Sequence, residues 1–254
     1  MQVDPFEGAR HVLVTGAAGA IGGALVPLLA EAAPNARLSL VDKREIAHAR
    51  GESHVWDLAN PDEIVAKYES ITNDAPVDVL VNCAGFMELL SFAGTSWDLG
   101  RALIDVDLVS PLRLMSLAVP GMRERKRGVV INVSSLARLL PIRGSSYYGA
   151  AKAGLAMASE IARLELRHHG VTIVTVYPGP VASDLERRAR AQVPSTFVSR
   201  ALPTGDARGL AVAIVRAARK RDPRVIYPPI LKPATQMLSL ARRVTERFSP
   251  HPHG

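Results

Sequence analysis

The sequence predicts an α/β chain folded as one doubly wound domain, a parallel sheet of about seven strands with helices on both faces. Three observations carry that expectation. Short runs rich in Val, Ile and Leu, mostly uncharged, alternate with longer helical stretches. Such apolar runs suit strands covered on both faces, and the alternation gives parallel strands joined by right-handed crossovers. The first run ends in a turn with glycines at 16, 19 and 22, the sort of strand-to-helix corner that a Rossmann-type sheet places at its centre. A length of 254 residues, 48% of them hydrophobic, supplies one large core, and no repeat or low-complexity linker divides it. Residues 1–254 therefore read as a single domain.

In chain order the expected strands are His11–Thr15, Arg37–Val41, Ser53–Trp56, Val77–Asn82, Val129–Ser134, Thr172–Tyr177 and Arg224–Tyr227. The expected helices are Ile21–Ala32, Pro61–Ser70, Ser96–Arg125, Tyr148–His168, Asp206–Arg219 and Ala234–Phe248. The connection from Asp42 to Ser53 is short for a full helix. Residues 184–205 hold Pro194, Pro203 and Gly205 and read as an irregular, mobile substrate loop. Ala234–Phe248 sets Met237, Leu238, Ala241, Val244 and Phe248 at helical spacing, with Arg242, Arg243 and Arg247 on other sides. That is an amphipathic helix for docking on the domain or on a second subunit, with attachment to a membrane surface as the alternative.

Composition excludes several functions. The net charge of +7 and the Lys plus Arg count of 31 raise the question of nucleic acid. The basic residues are scattered, however, and aromatics are only 5%, which leaves little to stack on bases. The positive field suits an anionic cofactor instead. One cysteine, Cys83, rules out an internal disulfide and points to a reducing, cytoplasmic setting. No Cys and His spacing suits zinc, and no metal is expected. The uncharged stretch His11–Ala30 mimics a membrane span, but Gly16, Gly19, Gly22 and Gly23 fit a strand, turn and buried helix better.

The chemistry starts at the glycine turn, Thr15-Gly16-Ala17-Ala18-Gly19-Ala20-Ile21-Gly22. Residues without Cβ let the chain turn sharply and bring backbone N–H groups to a pyrophosphate, while the following helix aims its positive end at the same place. Asp42 ends the second strand about twenty residues on, where a dinucleotide fold places the acid that binds ribose. A carboxylate there favours NAD and repels the 2′-phosphate of NADP. Lys43 and Arg44 follow at once and pull the other way.

Tyr148 and Lys152 lie four apart at the start of a helical stretch, on one face and one turn apart. An ammonium beside a phenol lowers the phenol's pKa and makes it a usable acid and base. Ser135, just past the Val129–Ser134 strand, is placed to donate to a substrate oxygen.

With these residues in view, the chain resembles the short-chain dehydrogenase/reductase family over nearly its whole length. Thr15–Gly22 is similar to that family's cofactor turn. Asp57-Leu58 resembles its adenine-contacting pair, and Asn82-Cys83-Ala84-Gly85 its Asn-Asn-Ala-Gly element. Asn132-Val133-Ser134-Ser135 resembles the strand bearing the catalytic serine, Tyr148-Gly149-Ala150-Ala151-Lys152 the Tyr-x-x-x-Lys motif, and Tyr177-Pro178-Gly179-Pro180-Val181 the turn that holds nicotinamide. The resemblance implies an oxidoreductase that moves a hydride between NAD and a secondary alcohol or ketone. Ser135, Tyr148 and Lys152 would be catalytic, with Tyr148 and Lys152 also contacting the cofactor. The implied cofactor set is Gly16, Gly19, Ala20, Ile21, Gly22, Asp42, Lys43, Asp57, Leu58, Asn82, Ala84, Gly85, Pro178, Gly179, Val181 and Ser183. It further implies a small-molecule substrate and a homodimer or homotetramer.

Three departures stand out, one of them the short connection after Asp42, which would reshape the adenine edge. Gly19 precedes the place, here Ala20, where the family more often has glycine. Asp107 stands where many members carry an Asn that relays protons through a water, which adds negative charge near Lys152. Candidate pocket walls are Phe86, Met87, Leu136, Ile142, Arg143, Tyr147 and the residues after Ser183, a mainly apolar set with one basic group that suits an apolar substrate. Cys83, Trp56 and Trp97 read as packing, and His168 and His169 as the end of a helix. The competing reading is a catalytically silent dinucleotide sensor of the same fold.

Overall fold

The structure is a computed structural model that describes residues 4–46, 51–194 and 203–252. Seven parallel strands form one sheet in the order β3-β2-β1-β4-β5-β6-β7. They are β1 His11–Thr15, β2 Arg37–Asp42, β3 Glu52–Val55, β4 Val79–Asn82, β5 Gly128–Val133, β6 Val171–Pro178 and β7 Arg224–Tyr227. The chain winds outward from β1 in one direction through β2 and β3, then returns to β4 and winds the other way. The reversal leaves a crevice beyond the C-terminal ends of β1 and β4, where ligands of such sheets bind.

Side chains alternate across the sheet as a period of two requires. Val12, Val14, Val79, Val81, Val129 and Ile131 face one side and meet Leu25, Val26 and Leu29 of α1 (Ala20–Ala32). Leu210 and Ile214, on the helix Ala207–Lys220, complete that layer. Leu13, Leu80, Val130 and Ile173 face the other side, against Ile64, Tyr68 and Ile71 of α2 (Ile64–Thr72). The helices α3 (Trp97–Ile104) and α4 (Ser110–Glu124) and the 21-residue α5 (Ser146–Leu166) lie further along the chain. At the N-terminal edge of the sheet, the buried Asp78 carboxylate ties down Arg10, Arg125 and Arg127.

The departures from expectation have local causes. Ser96–Arg125 is not one helix: a π turn, Asp105–Val109, separates α3 from α4. Residues 184–205 are not wholly irregular, because α6 (Asp184–Ala191) starts from a Ser183 cap whose hydroxyl accepts from the N–H of Glu186 at 3.1 Å. Within that loop, residues 195–202 lie outside the described residues. The C-terminal helix is interrupted at Met237, so that, with Ala207–Lys220 as α7, it becomes α8 (Lys232–Gln236) and α9 (Leu238–Phe248). Trp97 is 69% exposed, so it is not packing. Among the described residues no helix is long and apolar enough to cross a membrane.

Candidate active site

Register places the functional groups at one edge of the sheet. Thr15 of β1 pairs with Asn82 of β4, and Asn82 with Asn132 of β5. Three turns therefore leave the sheet side by side. Thr15 Oγ1 joins two of them by accepting from the N–H groups of Cys83 and Ala84 at 3.1 and 3.2 Å. Asn82 donates to Asn132 Oδ1 at 2.8 Å, and Asn132 donates to Ser159 Oγ at 2.7 Å. The buried Asn82 side chain is thus a strut between strands and is turned away from the cleft. Thr15 and Asn132 were not singled out from sequence, since a lone polar residue in an apolar strand gives no sign of which neighbour it will meet.

The glycine turn is packed too tightly for side chains at two positions. Gly16 has φ +69°, and a Cβ on it would stand 2.6 Å from Ala84 Cα. A Cβ on Gly22 would stand 2.2 Å from the Gly16 carbonyl oxygen. Gly19 caps α1 without a side-chain bond, and no acidic residue occupies the first turn at Ala20 and Ile21. No side chain caps the N–H groups of that first turn, which fits a bound diphosphate. Asp42 Oδ2 accepts from the N–H of Ala18 at 3.1 Å, and the Arg44 guanidinium lies 3.6 Å from Asp42 Oδ1. Lys43 is exposed. Asp57 Oδ1 accepts from the N–H of Ala59, and the carbonyl of Leu58 accepts from Ser110 Oγ at 2.6 Å.

Ser135, Tyr148 and Lys152 converge on one cleft of about 360 Å³, which Asp107, Gly85, Ile21, Pro178, Gly179, Val181 and Ser183 also line. Ser135 caps the start of the short helical turn Leu136–Arg138 that follows β5, and its hydroxyl interacts with Tyr148. The adjacent Ser134 also lines the cleft, but its hydroxyl is spent on the carbonyl of Lys152 at 2.7 Å, which leaves Ser135 as the serine that meets Tyr148. Lys152 Nζ donates to the Val133 carbonyl at 2.9 Å and lies 5.9 Å from the centre of the Tyr148 ring. Burial pushes the Tyr148 phenol above its ordinary value of 10, the Lys152 ammonium pulls it back only in part, and Asp107 adds to the rise. The expectation of a lowered phenol thus fails, because desolvation outweighs the ammonium. Burial alone would lower Lys152, but Asp107 and Tyr148 outweigh it and hold the ammonium above the ordinary lysine range.

The remaining walls are apolar: Leu136, Leu139, Leu140 and Ile142 from the loop after Ser135, Leu185 and Val193 from the α6 region, and Leu231. Two charged residues there, Glu186 and Arg190, are paired with each other. Of the expected walls, Met87, Leu136 and Ile142 line the cleft, but Phe86, Arg143 and Tyr147 do not. Arg143 instead donates to the carbonyls of Glu246 and Ser249 at the end of α9. Tyr147 packs on Gly100 and stacks against Phe92, ring centres 5.8 Å apart. Gln192, which gave no signal in sequence, bridges α6 to residues 88 and 89 by accepting from the N–H of Leu89 and donating to Glu88. Cys83 lines the cleft with burial raising its thiol to about 12, so it is no nucleophile near neutral pH.

The chain is similar to known proteins. The 3-oxoacyl-(acyl-carrier-protein) reductase FabG of Vibrio cholerae is 30% identical over 227 residues, covering 85% of this chain and 86% of its own. A short-chain dehydrogenase from Streptomyces avermitilis has the same fold with a TM-score of 0.79 and 26% identity, covering 94% of this chain and 96% of that one. A short-chain dehydrogenase from Sphingobium yanoikuyae, solved with NADPH, has a TM-score of 0.75 at 23% identity over 94% of this chain and 96% of its own. The family model described as short chain dehydrogenase matches residues 10–194, from β1 to the end of α6, and the chain belongs to that family.

Proposed function

We propose that the chain interconverts a secondary alcohol and its ketone with a nicotinamide dinucleotide, using Tyr148 as acid and base. The observation that carries this reading is the convergence of Ser135, Tyr148 and Lys152 on one cleft wall beside the glycine turn. When bound, the nicotinamide supplies or accepts the hydride. Tyr148 gives its proton to the carbonyl oxygen in reduction and takes it in oxidation. Ser135 donates a hydrogen bond to that oxygen, and Lys152 supports the charge that develops on Tyr148. A dinucleotide sensor without turnover needs none of these three groups.

The cofactor would lie with its diphosphate over Gly16, Gly19, Ala20, Ile21 and Gly22. Its adenosine would rest between Asp42, Lys43, Asp57 and Leu58, and its nicotinamide against Ala84, Gly85, Pro178, Gly179, Val181 and Ser183, with Asn82 behind them as a strut between strands and not a contact. We favour NAD, because the Asp42 carboxylate suits two ribose hydroxyls and repels a 2′-phosphate. Arg44 beside it, and the NADPH held by the Sphingobium protein, argue for NADP.

The substrate we infer is uncharged and apolar, since leucines dominate the walls and Glu186 and Arg190 satisfy each other. An acyl chain meets that description, and the Vibrio relative is named for a 3-oxoacyl group. Met157, Ile161 and Leu164 form an exposed apolar row on α5, which supports a homodimer or homotetramer built on that helix. The absence of any internal disulfide pair supports a cytoplasmic setting.

The test is the absorbance of reduced nicotinamide with NADH and NADPH over a panel of ketones, and in reverse with alcohols. Turnover confined to apolar, uncharged ketones agrees with the proposal. No turnover with any carbonyl under either cofactor contradicts it.

A further inference from the structure

Asp107 and Lys152 form a direct ion pair inside the cleft wall. Nζ and Oδ1 are 2.9 Å apart, and the two side chains are 5% and 0% exposed. Among the described residues Asp107 Oδ1 has no other partner, while Oδ2 accepts from the N–H of Phe86 at 3.4 Å. Two features of the backbone make the contact. The π turn Asp105–Val109 carries Asp107, and such turns within a helix recur at functional sites because they re-aim a side chain. Gly85 leaves the space that the pair occupies, since a Cβ there would stand 2.4 Å from Asp107 Oδ1 and 3.2 Å from Lys152 Nζ.

Two charges taken wholly out of water are costly to bury, and the pair repays that cost only through its own contact and the bonds around it. A purely structural pair would be expected away from the reacting groups. This one lines the cleft beside Tyr148.

We propose that Asp107 is a positioning residue that takes up the charge of Lys152 by direct contact and so withholds part of that charge from Tyr148, which makes the Tyr148 phenolate, the base for alcohol oxidation, harder to form. This rests on the oxidoreductase reading of the same site. A lone ammonium beside a phenol stabilises the phenolate; an ammonium already matched by a carboxylate stabilises it much less. The ionisable groups facing the pair are Tyr148 and, from the turn after β4, Cys83. Asp105, on the same π turn, is occupied by Arg101 at 3.4 Å. Burial raises the Asp107 carboxyl and contact with Lys152 lowers it again. The ammonium is held charged throughout the neutral range.

The test replaces the carboxylate by an isosteric amide, Asp107→Asn. Two readouts follow. The first is ultraviolet difference absorbance of tyrosine ionisation in the cofactor-free protein, with Tyr148→Phe subtracted to isolate residue 148. The second is the pH profile of kcat in both directions. The proposal expects the ionisation of Tyr148 to fall by about one pH unit or more in Asp107→Asn. It expects the rising limb of the oxidation profile, set by formation of the Tyr148 phenolate, to move to lower pH with it. An unchanged ionisation and an unchanged oxidation profile in a folded, active variant overturn it. So does a titration showing Lys152 Nζ uncharged at neutral pH in the unaltered protein, read by lysine-selective NMR, which keeps the proposal open to refutation if Asp107→Asn fails to fold. If Tyr148→Phe retains full turnover, the oxidoreductase reading itself has failed, which is a separate outcome.

Discussion

Ser134 and Lys152 hold each other across two elements: the hydroxyl of Ser134 donates to the backbone carbonyl of Lys152 at 2.7 Å, while the far end of the Lys152 side chain donates to the carbonyl of Val133, the residue before Ser134. The end of β5 and the second turn of α5 are thereby fixed to one another, and with them the distance between Ser135 and Tyr148. Replacing Ser134 by Ala removes one buried bond. We expect a stability loss of about 0.5–1.5 kcal/mol by denaturant unfolding and a lower kcat. An unchanged midpoint and unchanged kcat would show that the clasp is idle.

The glycine turn has no slack at residue 22. A Cβ there would meet the carbonyl oxygen of Gly16 at 2.2 Å and its carbon at 2.8 Å, and both are backbone atoms that cannot swing aside. Gly22→Ala should therefore open the turn. We expect a destabilisation of about 1–3 kcal/mol and loss of dinucleotide binding by calorimetry, while Gly23→Ala, whose nearest contact is an ordinary 3.5 Å, leaves both close to the starting values.

At the adenosine end, Asp42 accepts from Ala18 and faces Arg44. Asp42→Ala should weaken NAD by about tenfold, or about 1.4 kcal/mol, and improve NADP relative to it. Arg44→Ala should act in the opposite sense. Thermal-shift titrations with both cofactors report the ratio, and a ratio indifferent to either change removes both residues from cofactor choice.

His11 is fully buried, with Nδ1 2.8 Å from the carbonyl of Ala75 and Nε2 2.8 Å from Ser39 Oγ. Burial depresses its pKa below the ordinary 6.5, the Ala75 carbonyl opposing the shift. The folded chain thus keeps a neutral ring that the unfolded chain protonates below 6.5. The stability it contributes is complete above 6.5 and declines as pH falls from there towards the folded value. Melting temperature should drop on acidification through that window, and His11→Leu should flatten the part of the drop due to this ring.

Much of this was legible in the chain itself. Strands show as apolar runs, because a strand buried on both faces admits few other residues, and the Tyr148 to Lys152 spacing survives as one helical turn. What the sequence did not disclose depends on contacts far apart in the chain. Asp107 was seen as an added negative charge, but its direct seat on Lys152 needs the π turn and the missing Cβ of Gly85, forty-five and sixty-seven residues away from that lysine. Likewise Arg143 was expected at the cleft and instead ties down the end of α9, a segment a hundred residues later. The balance of burial against charge at Tyr148 is a property of the packed site and of no motif.

The most direct test of the account is Tyr148→Phe, which deletes one oxygen and leaves the ring in place. Steady-state turnover should fall by about 10²–10⁴-fold while the affinity for NAD or NADP, measured by calorimetry, stays within a few fold of the unaltered chain. Turnover that survives the loss of that hydroxyl would contradict the role given to Tyr148 and, with it, the reading of the cleft as an oxidoreductase site.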